Sequence, residues 1–382
     1  MPVMQSPPGA ETVIDGRRYL YFAGTAYLGL QGHPEVIRAA CEATQRFGIG
    51  SATNRAWFGS TPPLLEVERR AAELFAAEEA FYYVSGYVGH HILMAALAER
   101  FEAIFLDELA HYSAREASRL SGRRVYSFRH RDAAELARCL RANLRAGERP
   151  LVVSDGVFPV LGTIAPVAEY YEILRGYPGS ALSIDDAHGL AVLGPNGRGT
   201  FEHTGLIERG VNGSPATGRP PHGPPALFLC GTLSKAVGGF GGIIPGAQEF
   251  VGRLKAASHY YDGASAVPVP AAAGTARALE LLMAEPGLRT RLWENVAAVK
   301  QGLRRLGLEA GDSPVPIVCL TIGTAQAMQR IQQELMHRGI IIAYAGRYSG
   351  VGQAGALRLA VFATHTAAMI EQLLETIAAV VG

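Results

Sequence analysis

Five short apolar runs, each closed by an acid, a hydroxyl residue or a glycine, constrain the fold of this chain more than any other feature. The runs are Ala80–Val84, Ala103–Leu106, Leu151–Ser154, Ala181–Ile184 and Ala226–Cys230. They stop at Ser85-Gly86, Asp107, Asp155-Gly156, Asp185-Asp186 and Gly231-Thr232. Amphipathic stretches lie between and around them: Pro63–Ala76, Asp132–Leu144, Val167–Arg175 and Ala247–Ala256. In the first of these Leu64, Val67, Ala71 and Leu74 recur at helical spacing, Ser60 or Thr61 is placed to cap it, and Pro62 and Pro63 suit its first turn. Buried strands alternating with helices predict an α/β protein with a mostly parallel central sheet. Ligands of such sheets bind beyond the carboxyl ends of the strands, where these polar terminators gather.

After Pro270 the pattern changes to a long helical stretch, Ala271–Met283, followed by helices and short strands. The expected division is an N-terminal arm over 1–40, a large domain over 41–270 and a smaller α+β domain over 271–382. The last strand candidate, Ala356–Val361, alternates Leu357, Leu359 and Val361 with Arg358 and Ala360, which sets Arg358 on the opposite face. The Pro- and Gly-rich segment Val211–Pro225 reads as a mobile surface insertion.

The 382 residues are 48% hydrophobic, enough for a sizeable core. A net charge of +1 without a basic run argues against nucleic acid or an acidic membrane surface as partner. No apolar run approaches ~20 residues and the N-terminus lacks a charged-then-apolar pattern, so a soluble cytoplasmic protein is expected. Cys41, Cys139, Cys230 and Cys319 form no CxxC pair. They predict neither disulfides nor a metal site, and those within apolar stretches are expected to be core thiols.

Lysine is scarce here. Only Lys235, Lys255 and Lys300 occur, and arginine carries the rest of the positive charge. Arginine stays protonated, whereas a lysine can lose its proton and form a Schiff base with a carbonyl cofactor. Lys235 sits between the apolar run Ala226–Cys230 and a glycine cluster ending at Gly242. That position also fits an ordinary lysine at a strand end.

Its company bears on the choice. Asp185 and His188 follow a buried strand directly, and a carboxylate there can pair with the protonated ring nitrogen of pyridoxal phosphate. The same pair could instead cap a helix or bind a metal. His111, just past another strand end, could stack on a flat ring, or be a satisfied surface histidine. Ser85-Gly86-Tyr87 precedes a helix whose N-terminus could hold a phosphate, or it is an ordinary turn. No GxxxxGK or GxGxxG pattern occurs, so neither a nucleoside triphosphate nor a dinucleotide is indicated.

Ser85-Gly-Tyr, Asp107 to His111, Asp185-Asp-Ala-His188-Gly, Gly194-Pro-Asn-Gly-Arg-Gly199 and Thr232-Leu-Ser-Lys235-Ala-Val-Gly-Gly occur in this order. Together they resemble the α-oxoamine synthases, which are fold-type I pyridoxal 5′-phosphate (PLP)-dependent transferases. The resemblance runs from about Val13 to Val381, outside the Val211–Pro225 insertion. It implies that Lys235 holds the cofactor, Asp185 pairs with its ring nitrogen, His188 bonds its phenolic oxygen and His111 stacks on its ring. Ser85, Gly86, Tyr87 and Thr232 would hold the phosphate, with Ser265 reaching it across the interface of a homodimer. Arg358 would bind the carboxylate of the amino-acid substrate.

The substrate side departs from the family pattern. Thr25 stands where an asparagine is usual, Leu64 where a histidine is usual, and Phe158-Pro-Val-Leu-Gly-Thr163 replaces a run with a serine and two acids. The resemblance implies decarboxylative condensation of an amino acid with an acyl-CoA or other acyl thioester. An aminotransferase acting on an amino acid and a 2-oxo acid is the alternative those departures keep open. A catalytically silent partner subunit is the third, and Lys235 speaks against it.

Overall fold

The computed structural model describes residues 2–213, 225–346 and 351–381. Among these, seven strands form the central sheet, in the order Glu79–Tyr83, Gly242–Gly246, Ala226–Thr232, Ala181–Asp185, Pro150–Asp155, Ala103–Asp107 and Arg124–Phe128. Only Gly242–Gly246 runs antiparallel to its neighbours; the other pairings are parallel. The expected mostly parallel α/β sheet is therefore present.

Its strands are buried on both faces because successive side chains point opposite ways. Phe105, Val152, Leu182 and Leu229 pack into one core layer with Leu64, Val67 and Ala71 of the helix Pro62–Phe75. Ile104, Leu106, Leu151, Val153 and Phe228 pack into the other with Ile92, Leu93 and Leu97 of the helix Gly89–Leu97. Each such side chain contributes about 1.5–3 kcal/mol on burial. That explains why continuous apolar runs, rather than alternating ones, marked these strands.

Two central strands were not anticipated. Arg124–Phe128 is an edge strand, half-buried and polar enough to read as loop. Gly242–Gly246 contains glycine and proline, which disfavour interior strands. Its ladder to Ala226–Thr232 spans only Gly231↔Ile243 and Thr232↔Gly242, so Pro245 lies beyond it. Buried Asn212 fills the gap: its Nδ2 donates to the carbonyls of Leu229 and Pro245, and its Oδ1 accepts from Leu229 N.

Two smaller sheets complete the fold. Glu11–Ile14 and Arg17–Tyr21 form a hairpin, and Arg17–Tyr21 also pairs in parallel with Ile340–Ile341. Ile317–Leu320, Ala356–Ala360 and Ala343–Ala345 form an antiparallel sheet with Ala356–Ala360 in the middle. No helix among the described residues is long and apolar enough to cross a membrane.

Several local expectations need correction. Thr61 is the N-cap residue of Pro62–Phe75, but its side chain makes no capping hydrogen bond. Every residue of Ala356–Ala360 is buried, so the face opposite the aliphatic residues, which carries Arg358, also lies against protein. Of the four free cysteines only Cys230 is buried, and Cys41 is exposed. Most of the Val211–Pro225 insertion lies outside the described residues; its near end is tied down through Val211, paired with Leu227, and through Asn212.

Candidate functional site

The parallel register brings the strand ends level. Asp155 pairs with Asp185, and Asp185 with Cys230, across adjacent strands. Lys235 follows three residues after Thr232, in a turn closed by Leu233 N to Gly241 O (2.9 Å) and Gly239 N to Leu233 O (2.8 Å). The turn requires glycine: Gly238 and Gly241 have φ of 79° and 83°, and a Cβ on Gly239 would lie 2.4 Å from Thr275 Oγ1. Gln31 Nε2 donates to Lys235 O (2.7 Å), fixing the backbone beneath the amine.

A cavity of about 230 Å³ opens over these ends. Ser85, Gly86, Tyr87, His111, Asp185, His188, Thr232 and Lys235 all line it, so eight of the nominated residues converge. Lys235 Nζ lies 2.8 Å from His188 Nε2, and His188 Nδ1 lies 2.8 Å from Tyr27 OH. His111 Nδ1 contacts Ser113 Oγ (2.7 Å), which reaches Asp185 Oδ2 (3.4 Å). At the other end, Thr232 Oγ1 meets Ser234 Oγ (2.7 Å) beside Ser85 and the N–H groups that follow it. A Cβ on Gly86 would come within 2.6 Å of Thr232 Cβ, so glycine lets the backbone close on that pocket.

Burial sets the charges. It lowers the Lys235 pKa to about 8, against the pull of Asp185 and Asp155 toward the ammonium form. It holds His188 well below the ordinary histidine range, with the Lys235 and Arg358 charges adding to the effect. Burial likewise lowers His111. Asp155 is pushed well up by burial and then by the Asp185 charge, and it accepts a hydrogen bond from His111 N (3.0 Å). Beneath Asp185 sits His90, a neutral imidazole that burial holds near 4. Its Nδ1 lies 3.4 Å from Cys230 Sγ and 3.9 Å from Asp185 Oδ2.

Three nominated residues stand apart from this cavity. Ser265 is exposed and forms a bridge with Asn54 instead. Arg358 spends its guanidinium on Pro159 O (2.6 Å), Gly24 O (3.0 Å) and Tyr27 OH (3.2 Å). Thr25 follows Gly24 and so lies beside Arg358, half-buried. Of the substituted positions, Pro159 lines the cavity, whereas Leu64 is in the core.

The sequence reading missed Asp155, Ser113, Ser234 and Tyr27 as site residues. Asp155 ended an apolar run and Ser234 sat inside the lysine motif, so both carried a signal. Tyr27 carried none, because it arrives from the N-terminal arm. The Gly194–Gly199 motif proves to be scaffolding. Asp186 accepts from Thr200 N (2.6 Å) and Oγ1 (2.7 Å), and Glu202 accepts from Asn196 N and Arg198 N, both at 3.0 Å.

Comparison with known proteins bears on the family and the fold. The model of the aminotransferase class I and II family matches residues 18–377. An 8-amino-7-oxononanoate synthase of Cellvibrio japonicus is 34% identical over 381 residues, covering 100% of this chain and 91% of the relative. That of Methylococcus capsulatus is 34% identical over 377 residues, covering 98% and 92%. Serine palmitoyltransferase from S. paucimobilis with bound PLP superimposes with a TM-score of 0.89 at 27% identity, covering 100% of this chain and 92% of that one. The class I and II model alone does not separate synthases from aminotransferases, but the full-length relatives do. The chain belongs to the α-oxoamine synthase family of PLP-dependent transferases.

Proposed function

We propose that this protein condenses an amino acid with an acyl thioester, acyl-CoA being the expected donor, with loss of carbon dioxide to give an aminoketone. The observation that carries this reading is the convergence of Lys235, His188, Asp185 and His111 on one cavity at the strand ends. The donor set suits PLP: a lysine of lowered pKa, the carboxylate of Asp185, the ring of His111 and the hydroxyls of Ser85, Thr232 and Ser234 all line one cavity of about 230 Å³. When bound, PLP supplies a carbonyl that captures amines and a ring that holds an electron pair left behind by a departing proton.

The chain's own residues supply the rest. Asp185 would pair with the ring nitrogen and favour its protonated form. His188 and His111, which line the same cavity, would orient the ring. Ser85, Gly86, Tyr87, Thr232 and Ser234 hold the phosphate through hydroxyl and backbone donors. Lys235 would anchor the cofactor and, as a free amine, would accept the α-proton of the amino acid. Arg358, with Thr25 near it, would read the substrate carboxylate by exchanging its Gly24 carbonyl partner for it.

The working unit is a homodimer. Trp57 and Phe58 are 74% and 86% exposed, and Ser265 is held away from its own cavity by the Asn54 bridge. A second copy covers the aromatic residues and receives Ser265 at its phosphate pocket. The four free thiols suit a reducing cytoplasm.

The test is direct. Purified protein is incubated with amino acids and acyl-CoAs while free thiol and carbon dioxide are followed, and separately with 2-oxo acids and an amino donor. Thiol and carbon dioxide release without amine exchange is the expected result. Amine exchange without thiol release would overturn it. Borohydride reduction and peptide mapping should label Lys235; a label on Lys255 or Lys300 would refute its role.

A further inference from the structure

Tyr27 is fully buried, contributes nothing to the cavity lining, and yet sits in the middle of an unbroken line of polar atoms. The line runs from Arg358 Nη2 to Tyr27 OH (3.2 Å), from Tyr27 OH to His188 Nδ1 (2.8 Å), and from His188 Nε2 to Lys235 Nζ (2.8 Å). The direction of each hydrogen bond follows from what each group can do. Arginine only donates, so the phenol oxygen accepts from Arg358. Burial pushes the Tyr27 pKa up to about 12, so the phenol keeps its proton. His188 Nδ1 is the acceptor within reach of that proton, so Nδ1 carries no hydrogen.

A neutral imidazole has one N–H, and burial keeps His188 neutral. That hydrogen is therefore on Nε2, pointing at Lys235 Nζ. An ammonium has no lone pair to receive it, and two N–H groups would face each other at 2.8 Å. We propose that Tyr27 is a positioning residue that fixes the tautomer of His188 and so holds unreacted Lys235 as a free amine. A free amine is what adds to a carbonyl carbon, which then gives up its oxygen as water. This deepens the PLP reading of the site and, in its last step, rests on it.

The surroundings of Nζ do not all push one way. Asp185 and Asp155 favour the ammonium form, while Arg358 and burial oppose it. Together these give a midpoint of about 8, and the relay from Tyr27 acts in addition, toward a lower one. His111 completes the ring of groups, itself held neutral by burial.

With three lysines in the chain, protein grown on side-chain-labelled lysine and stripped of PLP gives three resolvable Nζ signals. Lys235→Arg identifies the relevant one. The expected result is a Lys235 midpoint below about 8 in the unsubstituted protein, raised by about one pH unit in Tyr27→Phe. Equal midpoints in the two would overturn the proposal. Nitrogen shifts of the His188 ring, assigned with His188→Asn, test it without the Tyr27 variant: hydrogen on Nε2 is expected, and hydrogen on Nδ1 refutes it. On adding PLP at neutral pH, Tyr27→Phe should take it up about tenfold more slowly and recover as pH rises. Should PLP attach elsewhere than Lys235, the function proposed above fails, while the lysine and histidine signals still decide the relay.

Discussion

Asp155 and Asp185 end adjacent strands opposite one another, and two carboxylates so placed cannot both ionise cheaply. Asp155 gives way, since burial and the Asp185 charge both raise its pKa. A raised carboxyl pKa favours the folded state below the unfolded value near 3.8, and that contribution is lost as pH rises through the folded value. Asp155→Asn keeps an acceptor for His111 N without the ionisation. The variant should therefore match the parent in acid and outlast it on the alkaline side, by about 1.4 kcal/mol for each pH unit of the window. Melting temperatures followed from about pH 5 to pH 9 check this; a constant difference between the two proteins would count against a raised Asp155 pKa. At this scale the sequence was informative wherever a reactive residue closed an apolar run, as Asp185 does, or stood out by scarcity, as Lys235 does. It was silent on Tyr27, whose role depends on the N-terminal arm folding back over the strand ends, and on Ser265, whose neighbours in one chain are not those of its proposed task.

Elements are held by shape as much as by pattern, and the glycines around Asp186 illustrate it. Asp186 is buried with its carboxylate bonded to Thr200, and Gly156, Gly189 and Gly199 crowd it so closely that added Cβ atoms would lie 2.6, 2.0 and 1.9 Å from its oxygens. Gly189→Ala must displace that carboxylate or its own backbone, one residue from His188. A loss of about 1–3 kcal/mol is expected, measured by denaturant unfolding, together with weaker PLP retention. Gly252 is the contrast. It lies in the helix Gln248–Ala257 with open space around its Cα, so Gly252→Ala should stabilise by about 0.4–1 kcal/mol. Equal effects at the two positions would mean that packing around Asp186 is not what demands glycine. The strands read from sequence were those whose burial on both faces forced continuous apolar runs. Gly242–Gly246 escaped because it is held by partners distant in the chain: a five-residue ladder to Glu79–Tyr83 and Asn212, which bonds the carbonyls of Pro245 and of Leu229 beside it.

For the whole molecule the open quantity is association. Two aromatic residues at 74% and 86% exposure on one short segment leave apolar surface that a lone chain would not maintain without use. Each is the kind of anchor whose truncation costs about 2 kcal/mol in an interface. Both protomers carry the change, so Trp57→Ser with Phe58→Ser removes four such anchors per dimer and should raise the dimer dissociation constant by a factor of about a million, if the effects add. Sedimentation at micromolar concentration reads this as a shift from two chains to one. Because Ser265 is proposed to reach the partner's phosphate pocket, the monomeric variant should also lose PLP on gel filtration although its own Lys235, Asp185 and His188 are intact. A variant that sediments as a monomer yet retains PLP as firmly as the parent would show that each cavity is complete within one chain. In that case Ser265 would have no part in holding the phosphate, and the bridge to Asn54 would be its whole role.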